Sequence, residues 1–464
     1  MIDVVTVDTP QLGNRSYLVH DGAQALVVDP PRDFEQLERS AENAGIEIAA
    51  VAETHLHNDF VSGAPALAHR HGVEHFVAAD EQVSFRRRGI ADGDVFEVGG
   101  LEVEVLSTPG HTPGHVAYAA RCSDATTPVL FTGGSLLYGT VGRTDLSGAE
   151  QTERLARAQY RSVRRLAERF PSETALFPTH GFGSFCASSS ACSASSSTIA
   201  AEAFDNVALT VDDEDRFVRD LLAGLGPVPA YYDHMAGLNR AGHGLEPVAR
   251  PQLVGAEGLS AAIARGAWVV DVRGRQDFAG AHLRGSVNIE YGANCATYVG
   301  WVVPWGADIV LLANSEARLS EARRDLARIG IDRLAGATLG VQTMSGQDVR
   351  SYPRRRWEDL QASYADDGGL PEGVVVLDVR QRSEYDAGHL RGAVSVPVQD
   401  VVDAAEHIPY GTVWVHCRSG YRASVAASLL CAAGRRVVLV DDDWERAADV
   451  GLRVEPGSAM AAAH

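Results

Sequence analysis

Lysine is absent from this chain: all 41 basic side chains among its 464 residues are arginines. The absence excludes a Schiff-base lysine and a Walker-type phosphate loop, because both need the lysine amine. No apolar run approaches the roughly 20 residues of a membrane span. The opening segment, Met1–Thr6, lacks the basic and apolar regions of a signal peptide. We therefore expect a cytoplasmic protein that does not enter a membrane.

Acidic side chains outnumber basic ones, and the formal net charge is −20. No basic patch offsets this charge, which argues against nucleic acid as a partner. Cysteine is limited to six residues, with irregular spacing and no CxxC pair. A disulfide framework is not expected for such a chain, and individual thiols with separate roles are the better interpretation. The cysteines are Cys122, Cys186, Cys192, Cys295, Cys417 and Cys431.

The chain is too long for one hydrophobic core, and about three domains are expected. An internal repeat marks two of them: the segment 269–287 matches the segment 376–394, each reading as a strand, a polar turn, HLRG and another strand. Strands that alternate with helices predict α/β domains with largely parallel sheets. We place these tandem domains at 252–350 and 365–464, with a linker at 345–369.

Residues 1–245 have a different pattern and form the third predicted domain. Alternating strands open it, a helix and more strands follow, and a long helix is predicted over 151–169. A segment made almost entirely of Ser and Ala, 187–198, predicts a surface loop. A second linker is predicted at 237–251, which is rich in Gly and Pro.

Three histidine clusters follow predicted strands in this first domain. They contain His55, His57 and Asp59, then His111, then His180. Neutral imidazoles and carboxylates at strand ends suit a first-row transition metal. A lone histidine is usually a core or surface residue, but three such clusters in this order favour a metal site.

These motifs resemble the metallo-β-lactamase fold, and more closely its persulfide dioxygenase branch. The matching stretches are Thr54–Asp59, Thr108–His111, Phe131–Gly133 and Gly142–Asp145. The resemblance implies an αββα sandwich that holds one Fe(II) per chain between two His and one Asp. That arrangement leaves positions open for a low-molecular-weight thiol persulfide and O₂.

Residue by residue, the resemblance assigns His55 and His111 as the two His ligands. His180 matches a position near the second metal site of hydrolase relatives. Phe60 stands where those relatives place a second-site His, which implies one metal rather than two. Arg143 lies in the motif that borders the family's thiol pocket, which implies that it binds substrate.

One departure concerns the carboxylate ligand, because Gly134 follows Phe131-Thr132-Gly133 where the family has Asp. Three alternatives remain: His57 completes a three-His site, water fills the position, or the domain is an idle scaffold. We favour the first alternative, in which Asp59 does not bind the metal but orients a ligand His through a hydrogen bond. Zn(II) is the alternative metal.

The C-terminal domain carries Cys417 between an apolar strand and a helix, in the loop CRSGYR at 417–422. Backbone N–H groups and a helix N-terminus at such a junction stabilise a thiolate or a persulfide. Arg418 and Arg422 add positive charge for an incoming anion. With Asp378, Glu384 and 388–393, the loop resembles the rhodanese family. Its six-residue length implies sulfur transfer, since the related phosphatases use one residue more.

The middle domain has Ala313 where the alignment places the nucleophile, and no persulfide can form there. We interpret it as a pseudo-rhodanese that positions its neighbours. Cys186, close after His180, is either a relay for sulfane sulfur or an ordinary thiol.

The whole chain therefore resembles a fused persulfide dioxygenase–sulfurtransferase. The resemblance implies oxidation of a thiol persulfide to sulfite, with thiosulfate formed or used at Cys417 in sulfide detoxification. A homo-oligomer is compatible with the sequence. Two alternatives stay open: a metallohydrolase of the hydroxyacylglutathione hydrolase type fused to a rhodanese, and a metal-free binding platform in which the rhodanese alone turns over.

Overall fold

The computed structural model describes residues 2–122, 127–188, 194–245, 248–340, 347–364 and 370–456. The chain divides into two compact units, Met1–Val248 with Arg324–Ile331, and Ala249–Arg323 with Asp332–His464. Among these described residues, no helix has the length and apolar character needed to cross a membrane. Cys192 lies outside the described residues.

The first sheet of the N-terminal unit has six strands in sequential order. The first three strands are antiparallel, and the fourth to sixth run parallel to the third. The strands are β1 (Asp3–Thr9), β2 (Asn14–His20), β3 (Gln24–Val28), β4 (Glu47–Ala52), β5 (Glu74–Ala78) and β6 (Arg88–Ile90).

The second sheet has the strand order β14-β13-β10-β9-β8-β7. Its strands are β7 (Val95–Val98), β8 (Leu101–Ser107), β9 (Val116–Cys122), β10 (Val129–Gly133), β13 (Ala175–Pro178) and β14 (Ser197–Thr198). A separate hairpin pairs β11 (Leu136–Leu137) with β12 (Thr140–Val141). Alternation along β8 buries Leu101, Val103 and Val105, as expected for a strand with one face in the core.

Helices cover the outer faces of both sheets, and the main core lies between the sheets. Apolar side chains of α1 and α2 pack on the first sheet, and those of α3 and α6 pack on the second. This arrangement confirms the predicted αββα sandwich. The helices are α1 (Glu35–Ala44), α2 (Ala64–His71), α3 (Thr152–Arg169), α4 (Ile199–Asp205), α5 (Val207–Thr210), α6 (Glu214–Gly224) and α7 (Tyr232–Ala241), followed by a 3-10 turn (His243–Leu245).

Three predicted loops contain regular structure. The linker at 237–251 begins too early, because α7 continues to Ala241, where the buried Asn239 side chain anchors it. The Ser/Ala segment 187–198 ends in β14, which pairs with Ala175–Leu176; residues 189–193 lie outside the described residues. The linker at 345–369 holds two short strands and a helix, described below, whereas residues 341–346 and 365–369 are outside the described ranges.

The C-terminal unit contains both copies of the repeat, apart from residues Arg324–Ile331 of the middle copy, which belong to the first unit. The middle copy has a parallel sheet with the order β17-β15-β18-β19, and the C-terminal copy has one with the order β21-β26-β25-β22-β24. The middle-copy elements are α8 (Ala256–Ala264), β15 (Trp268–Asp271), α9 (Arg275–Gly280), β16 (His282–Leu283), β17 (Val287–Asn288), α10 (Cys295–Val302), β18 (Ile309–Ala313), α11 (Glu316–Arg328), β19 (Gly336–Leu339) and β20 (Val349–Arg350).

The C-terminal copy begins before residue 365, because Trp357 is fully buried in its core and β21 joins its sheet. Its elements are β21 (Arg354–Arg355), α12 (Trp357–Gln361), β22 (Val374–Asp378), α13 (Arg382–Ala387), β23 (His389–Leu390), β24 (Val394–Ser395), a 3-10 turn (Val398–Asp400), α14 (Val401–Ala404), β25 (Thr412–His416), α15 (Tyr421–Ala432), β26 (Arg436–Val440), α16 (Arg446–Asp449) and β27 (Val454–Glu455).

Strand register supports the alignment of the two copies. Asp271 pairs with Leu312 across β15 and β18, and Asp378 pairs with His416 across β22 and β25. The residue that follows each pair is therefore equivalent, which places Ala313 at the position of Cys417. The copies also share an internal ion pair: Arg273 binds Asp271, and Arg380 binds Asp378, with the same 2.6 Å contact in each.

Candidate metal cluster and Cys417 loop

Four buried histidines meet at one edge of the sandwich. His55 and His57 follow β4, His111 follows β8, and His180 follows β13. Their rings lie side by side, with centroids 4.2 Å apart for His55 and His57 and 5.3 Å apart for His111 and His180. All four are almost completely buried. The three clusters predicted from separate strand ends are therefore one cluster in the folded chain.

Hydrogen bonds fix the tautomer of His55. The Thr54 hydroxyl lies 2.7 Å from an Asp29 carboxylate oxygen, which only accepts, so the hydroxyl proton goes to Asp29. The hydroxyl oxygen then accepts from Nδ1 of His55 at 2.8 Å. Nε2 of His55 is left with a lone pair that faces the cluster.

His111 and His180 are oriented in the same way. Nδ1 of His111 donates to the carbonyl oxygen of Arg143 at 2.7 Å, and Nδ1 of His180 donates to Oδ1 of Asn14 at 2.9 Å. Burial lowers the pKa of both imidazoles to about 3, so both are neutral at physiological pH. Each therefore directs the lone pair of a neutral Nε2 into the cluster, the form in which histidine binds a metal.

The converging lone pairs match a metal site. Nε2 of His55 and Nε2 of His180 lie 3.2 Å apart, and neither carries a proton to share with the other. Nε2 of His111, Nδ1 of His57 and Oδ1 of Asp59 are buried without a hydrogen-bond partner among the described residues. Such groups are costly to bury unless something satisfies them, and a metal ion does so. The residues present therefore fit a bound metal.

Two sets of three side chains have donor atoms within 4.8 Å of one another: His55, His57 and His180, and His111, His180 and Cys186. His180 belongs to both sets. The three-His site built from His55, His57 and His111 stays a prediction. The geometry adds His180, whose ring centroid lies 5.2 Å from that of His55, 5.7 Å from that of His57 and 5.3 Å from that of His111.

The His111 ring fills the space into which a carboxylate side chain at position 134 would project. A Cβ atom on Gly134 would lie 2.2 Å from Cδ2 of His111, so the imidazole stands where a side chain at 134 would project. The amide of Gly134 donates to Nε2 of His115 at 2.9 Å, and Nδ1 of that ring bonds Thr108. His115 is therefore satisfied at both nitrogens and supports the turn rather than offering a ligand.

His57 lies between Asp29 and Phe60. Its Nε2 is 3.2 Å from an Asp29 oxygen. Burial acts to lower the pKa of His57, but the Asp29 charge outweighs burial and raises it; in return His57, Thr179 and Thr54 hold the pKa of Asp29 at about 2 against its burial. The Phe60 ring stacks on His57 with centroids 4.2 Å apart. Phe60 thus fills space beside the cluster without adding a donor.

Sequence reasoning missed two asparagines that hold the cluster in place. Asn14 donates from Nδ2 to Asp59 at 2.7 Å while it accepts from His180. Asn239 donates to the carbonyl oxygens of His57 and Phe60 and accepts from the amide of Ser62 at 2.9 Å. No motif marks either residue, since both act on groups distant in sequence.

Replacing Asn239 by Ala is expected to lower the free energy of unfolding of the N-terminal unit by about 2–4 kcal/mol, because buried carbonyl and amide groups lose their partners. Metal affinity should fall roughly 10-fold or more, as the loop that carries His57 loosens. Urea unfolding and metal titration measure the two effects. Asn43→Ala on the exposed face of α1 is the control, expected to change stability by less than about 0.5 kcal/mol. Equal effects at both positions would contradict the anchoring role.

Arg143, predicted to bind substrate, is 4% exposed and makes several internal contacts. Its guanidinium makes two 2.7 Å bonds to Asp145 and also donates to the carbonyls of Phe185 and Gly226. Its backbone carbonyl accepts from His111, and its amide donates to the carbonyl of Cys186. The structure thus places Arg143 as a positioning residue that ties His111 to Cys186.

Cys417 lies at the end of β25, in the turn that leads into α15, and is 2% exposed. The turn closes at Gly420, whose φ of +85° favours glycine, and a Cβ there would lie 2.2 Å from an Asp441 oxygen. Helix α15 is twelve residues long and points its N-terminus toward the turn. The predicted junction of strand, loop and helix is present.

The two arginines of this loop differ in environment. Arg422 is largely buried and binds both oxygens of Glu384, at 2.5 and 2.9 Å. Burial acts to raise the pKa of Glu384, but the Arg422 contacts outweigh it and hold that pKa below its usual value. Arg418 is exposed and lies 3.4 Å from Glu445. Arg422 therefore has a fixed position, whereas Arg418 contributes charge at the surface.

Arg422→Lys is expected to lower kcat/KM for sulfur transfer by about 10-fold or more, because lysine cannot reproduce the two-point contact with Glu384. Arg418→Lys is the matched control in the same loop and should change kcat/KM less than about 2-fold, since its pair is exposed. Steady-state thiosulfate:cyanide assays measure both. A larger loss at Arg418 would reverse the assigned roles.

The middle copy contributes side chains to this loop. Arg275 donates to Asp441 at 2.7 Å, to Glu290 at 2.6 Å and to the carbonyl of Ser419 at 3.4 Å. Tyr421 donates from its hydroxyl to the carbonyl of Glu290. Burial raises the pKa of Tyr298 to about 12, with Cys417 and Arg422 near enough to affect it. These contacts support the interpretation that the copy without a thiol positions its neighbour.

Comparison with protein-family models gives two matches. Residues 9–180 match the metallo-beta-lactamase superfamily, and residues 360–448 match the rhodanese-like domain. The first match contains all four clustered histidines, and the second contains Cys417. Neither match includes Cys186, which lies just beyond the first.

Known proteins similar to this chain include hydroxyacylglutathione hydrolase from Pseudomonas entomophila (strain L48), 34% identical over 171 residues, which are 36% of this chain and 62% of that protein. The enzyme of the same name from Cupriavidus taiwanensis is 34% identical over 139 residues, or 28% of this chain and 52% of that protein. The chain thus spans less than two thirds of the length of these relatives.

Among solved structures, a metallo-beta-lactamase from Staphylococcus aureus subsp. aureus COL aligns with a TM-score of 0.65 and 25% identity, over 73% of this chain and 99% of that one. The structure of ETHE1 from Myxococcus xanthus aligns with a TM-score of 0.43 and 26% identity, over 52% of this chain and 98% of that one. The fold and the family matches together show that the chain carries a metallo-beta-lactamase domain followed by a C-terminal rhodanese-like domain.

Proposed function

We propose that the N-terminal domain oxidises a low-molecular-weight thiol persulfide with O₂, and that the C-terminal domain transfers sulfane sulfur through Cys417. The observation that carries the proposal is Phe60. Its ring stacks on His57 where a second-site ligand would stand. A two-metal hydrolytic centre lacks a donor at this position, whereas a one-metal oxygenase does not need one there.

The metal would be held by histidines of the cluster, drawn from His55, His57, His111 and His180. One Fe(II) bound there would supply open positions for a persulfide sulfur and for O₂. The imidazoles of His55, His111 and His180 are held neutral and oriented by Thr54, Arg143 and Asn14. Their near-complete burial keeps bulk water from the reacting groups.

A cavity of about 480 Å³ adjoins the loops that carry these histidines. Its lining includes Leu56, Asn58 and Thr112, each next to a cluster histidine in sequence, together with Glu81 and Arg240. A cavity of this size suits a small thiol. The overall reaction balances as RSSH + O₂ + H₂O → RSH + SO₃²⁻ + 2 H⁺.

In the C-terminal domain, the Cys417 thiolate attacks the outer sulfur of a persulfide or of thiosulfate. The S–S bond of the donor breaks, its electron pair leaves with the thiol or with sulfite, and Cys417 carries the sulfane sulfur as a persulfide. Arg422 and the α15 N-terminus stabilise the resulting anion. The reverse reaction with sulfite forms thiosulfate. Tethering raises the local concentration of sulfite near Cys417.

Oxygen uptake tests the oxidative half of the proposal. Protein loaded anaerobically with Fe(II) should consume one O₂ per persulfide and release sulfite, and His111→Ala should abolish the uptake. Uptake that persists in His111→Ala, or no uptake by iron-loaded wild-type protein, would overturn this half. The sulfurtransferase half is assayed separately with thiosulfate and cyanide.

Thioester hydrolysis is a second candidate, favoured by the similarity to hydroxyacylglutathione hydrolases. It would use the same histidines with zinc, which activates water for attack on a carbonyl. Zinc in protein purified from unsupplemented cells, together with hydrolysis of S-lactoylglutathione, would support this candidate. Hydrolysis by the zinc form with no oxygen uptake by the iron form would displace the oxygenase.

A further inference from the structure

Cys186 is a buried thiol on the metal-site side of the N-terminal domain. It is 0% exposed, and its Sγ belongs to a set with His111 and His180 whose donor atoms lie within 4.8 Å of one another. Sγ lies 3.9 Å from the hydroxyl of Tyr232, and the side chain of Ser184 also contacts it. Nε2 of His111, in the same set, has no partner among the described residues. The thiol and the imidazole are thus close together, and the lone pair on Nε2 of His111 is unsatisfied.

His180 is common to the two possible sets of ligands. Its Nδ1 is committed to Asn14, so a single nitrogen, Nε2, can bind a metal. One nitrogen serves one ion, and His180 cannot complete both sets with separate ions. An ion at His180 is therefore held either with His55 and His57 or with His111 and Cys186.

The backbone holds Cys186 in register with His111. Arg143 accepts from His111 through its carbonyl at 2.7 Å and donates through its amide to the carbonyl of Cys186 at 2.9 Å. The amide of Cys186 donates to the hydroxyl of Ser184 at 3.1 Å, and that hydroxyl donates to Asp59 at 3.3 Å. Cys186 is consequently linked through Arg143 to His111, and through Ser184 to Asp59 in the loop that also carries His55 and His57.

We propose that Cys186 is a metal ligand, acting with His111 and His180 in place of the carboxylate that is absent at Gly134. The site is then a thiolate–imidazole site, suited to Fe(II) or Zn(II). When the metal binds, the S–H bond of Cys186 breaks, its electron pair forms the S–metal bond, and its proton passes to the solvent. The inference shares the metal cluster with the proposed function but does not depend on which reaction occurs there.

X-ray absorption spectroscopy of the metal-loaded full-length protein tests the ligand directly. We expect one sulfur neighbour at about 2.3 Å, in addition to nitrogen or oxygen neighbours at about 2.0–2.1 Å, if the metal is zinc. Cys417→Ser serves as the background, because it removes the loop thiol as a competing ligand. A metal shell of nitrogen and oxygen alone in this background would overturn the proposal.

Cys186→Ser in the same background gives a second readout. The sulfur neighbour should disappear, the near-ultraviolet sulfur-to-metal band of the cobalt form should be lost, and one proton fewer should be released on metal binding. Cys122→Ser is the matched control, because Cys122 is also buried but lies in the core between the sheets. It should retain the band. A band that survives Cys186→Ser would contradict the assignment.

Alkylation of the wild-type protein covers the case in which Cys186→Ser does not fold. Metal should protect Cys186 from a small alkylating reagent after mild unfolding, and removal of the metal should expose it. Equal labelling of Cys186 with and without metal would overturn the proposal. None of these measurements uses turnover, so inactive protein with a sulfur-bound metal would refute the proposed oxygenase while supporting Cys186 as a ligand.

Discussion

Cys417→Ser is expected to lower thiosulfate:cyanide sulfurtransfer at least about 10³-fold, because the hydroxyl cannot carry sulfane sulfur between donor and acceptor. The change is nearly isosteric, and the turn that holds residue 417 is fixed by other residues, above all Gly420 and Arg422. The fold of the loop should therefore persist. Metal content and oxygen uptake of the N-terminal domain should remain unchanged.

Cys431→Ser is the control for Cys417→Ser, because Cys431 lies on α15, the helix that follows the Cys417 turn, with its Sγ 3.5 Å from Nε2 of His282 in the middle copy. Burial raises the pKa of this thiol, which disfavours the nucleophilic thiolate. Its replacement should leave transfer within about 2-fold of wild type. Transfer that survives Cys417→Ser and disappears when Cys186 is also replaced would identify Cys186 as the nucleophile. That result would contradict both the assignment of Cys417 as the nucleophile and the assignment of Cys186 as a metal ligand.

The sequence pattern was sufficient to predict the features that depend on residues close to one another in the sequence. Each histidine cluster follows an apolar strand, and the order of the clusters matches the metallo-β-lactamase motifs, so a shared site was predictable although β4 belongs to one sheet and β8 and β13 belong to the other. The repeat likewise predicted that Ala313 replaces Cys417, which the strand register supports. The αββα sandwich and the rhodanese-like domain were expected from motifs and are confirmed by the fold and the family matches.

Long-range polar contacts could not be predicted. Asn239 acts on backbone atoms 177 to 182 positions away, and Asn14 acts on a histidine 166 positions away. Asparagine occurs in many loops and caps, so neither residue carries a signal of its own. The role of Arg143 was also hidden, because its contact with His111 uses a backbone carbonyl that every residue possesses.

Gly134→Asp restores the family carboxylate in sequence, yet we expect it to weaken metal binding roughly 10- to 100-fold. A Cβ at this position would lie 2.2 Å from Cδ2 and 2.8 Å from Nε2 of His111. The imidazole must turn away to make room, and its hydrogen bond to Arg143 is then lost. The free energy of unfolding should fall by about 1–3 kcal/mol, the usual cost of overpacking. Metal titration and urea unfolding measure both effects.

Gly134→Ala separates the effect of bulk from the effect of charge at this position. If displacement of His111 is the cause, the added methyl group alone should reproduce most of the loss in metal affinity. Gly224→Asp adds the same carboxylate where no atom lies within 4 Å of the new Cβ, and it should bind metal as the wild type does. Tighter metal binding by Gly134→Asp than by Gly134→Ala would show that a carboxylate at 134 still reaches the metal. In that case Gly134 would mark the loss of a metal ligand, and His111 would not exclude a side chain at this position.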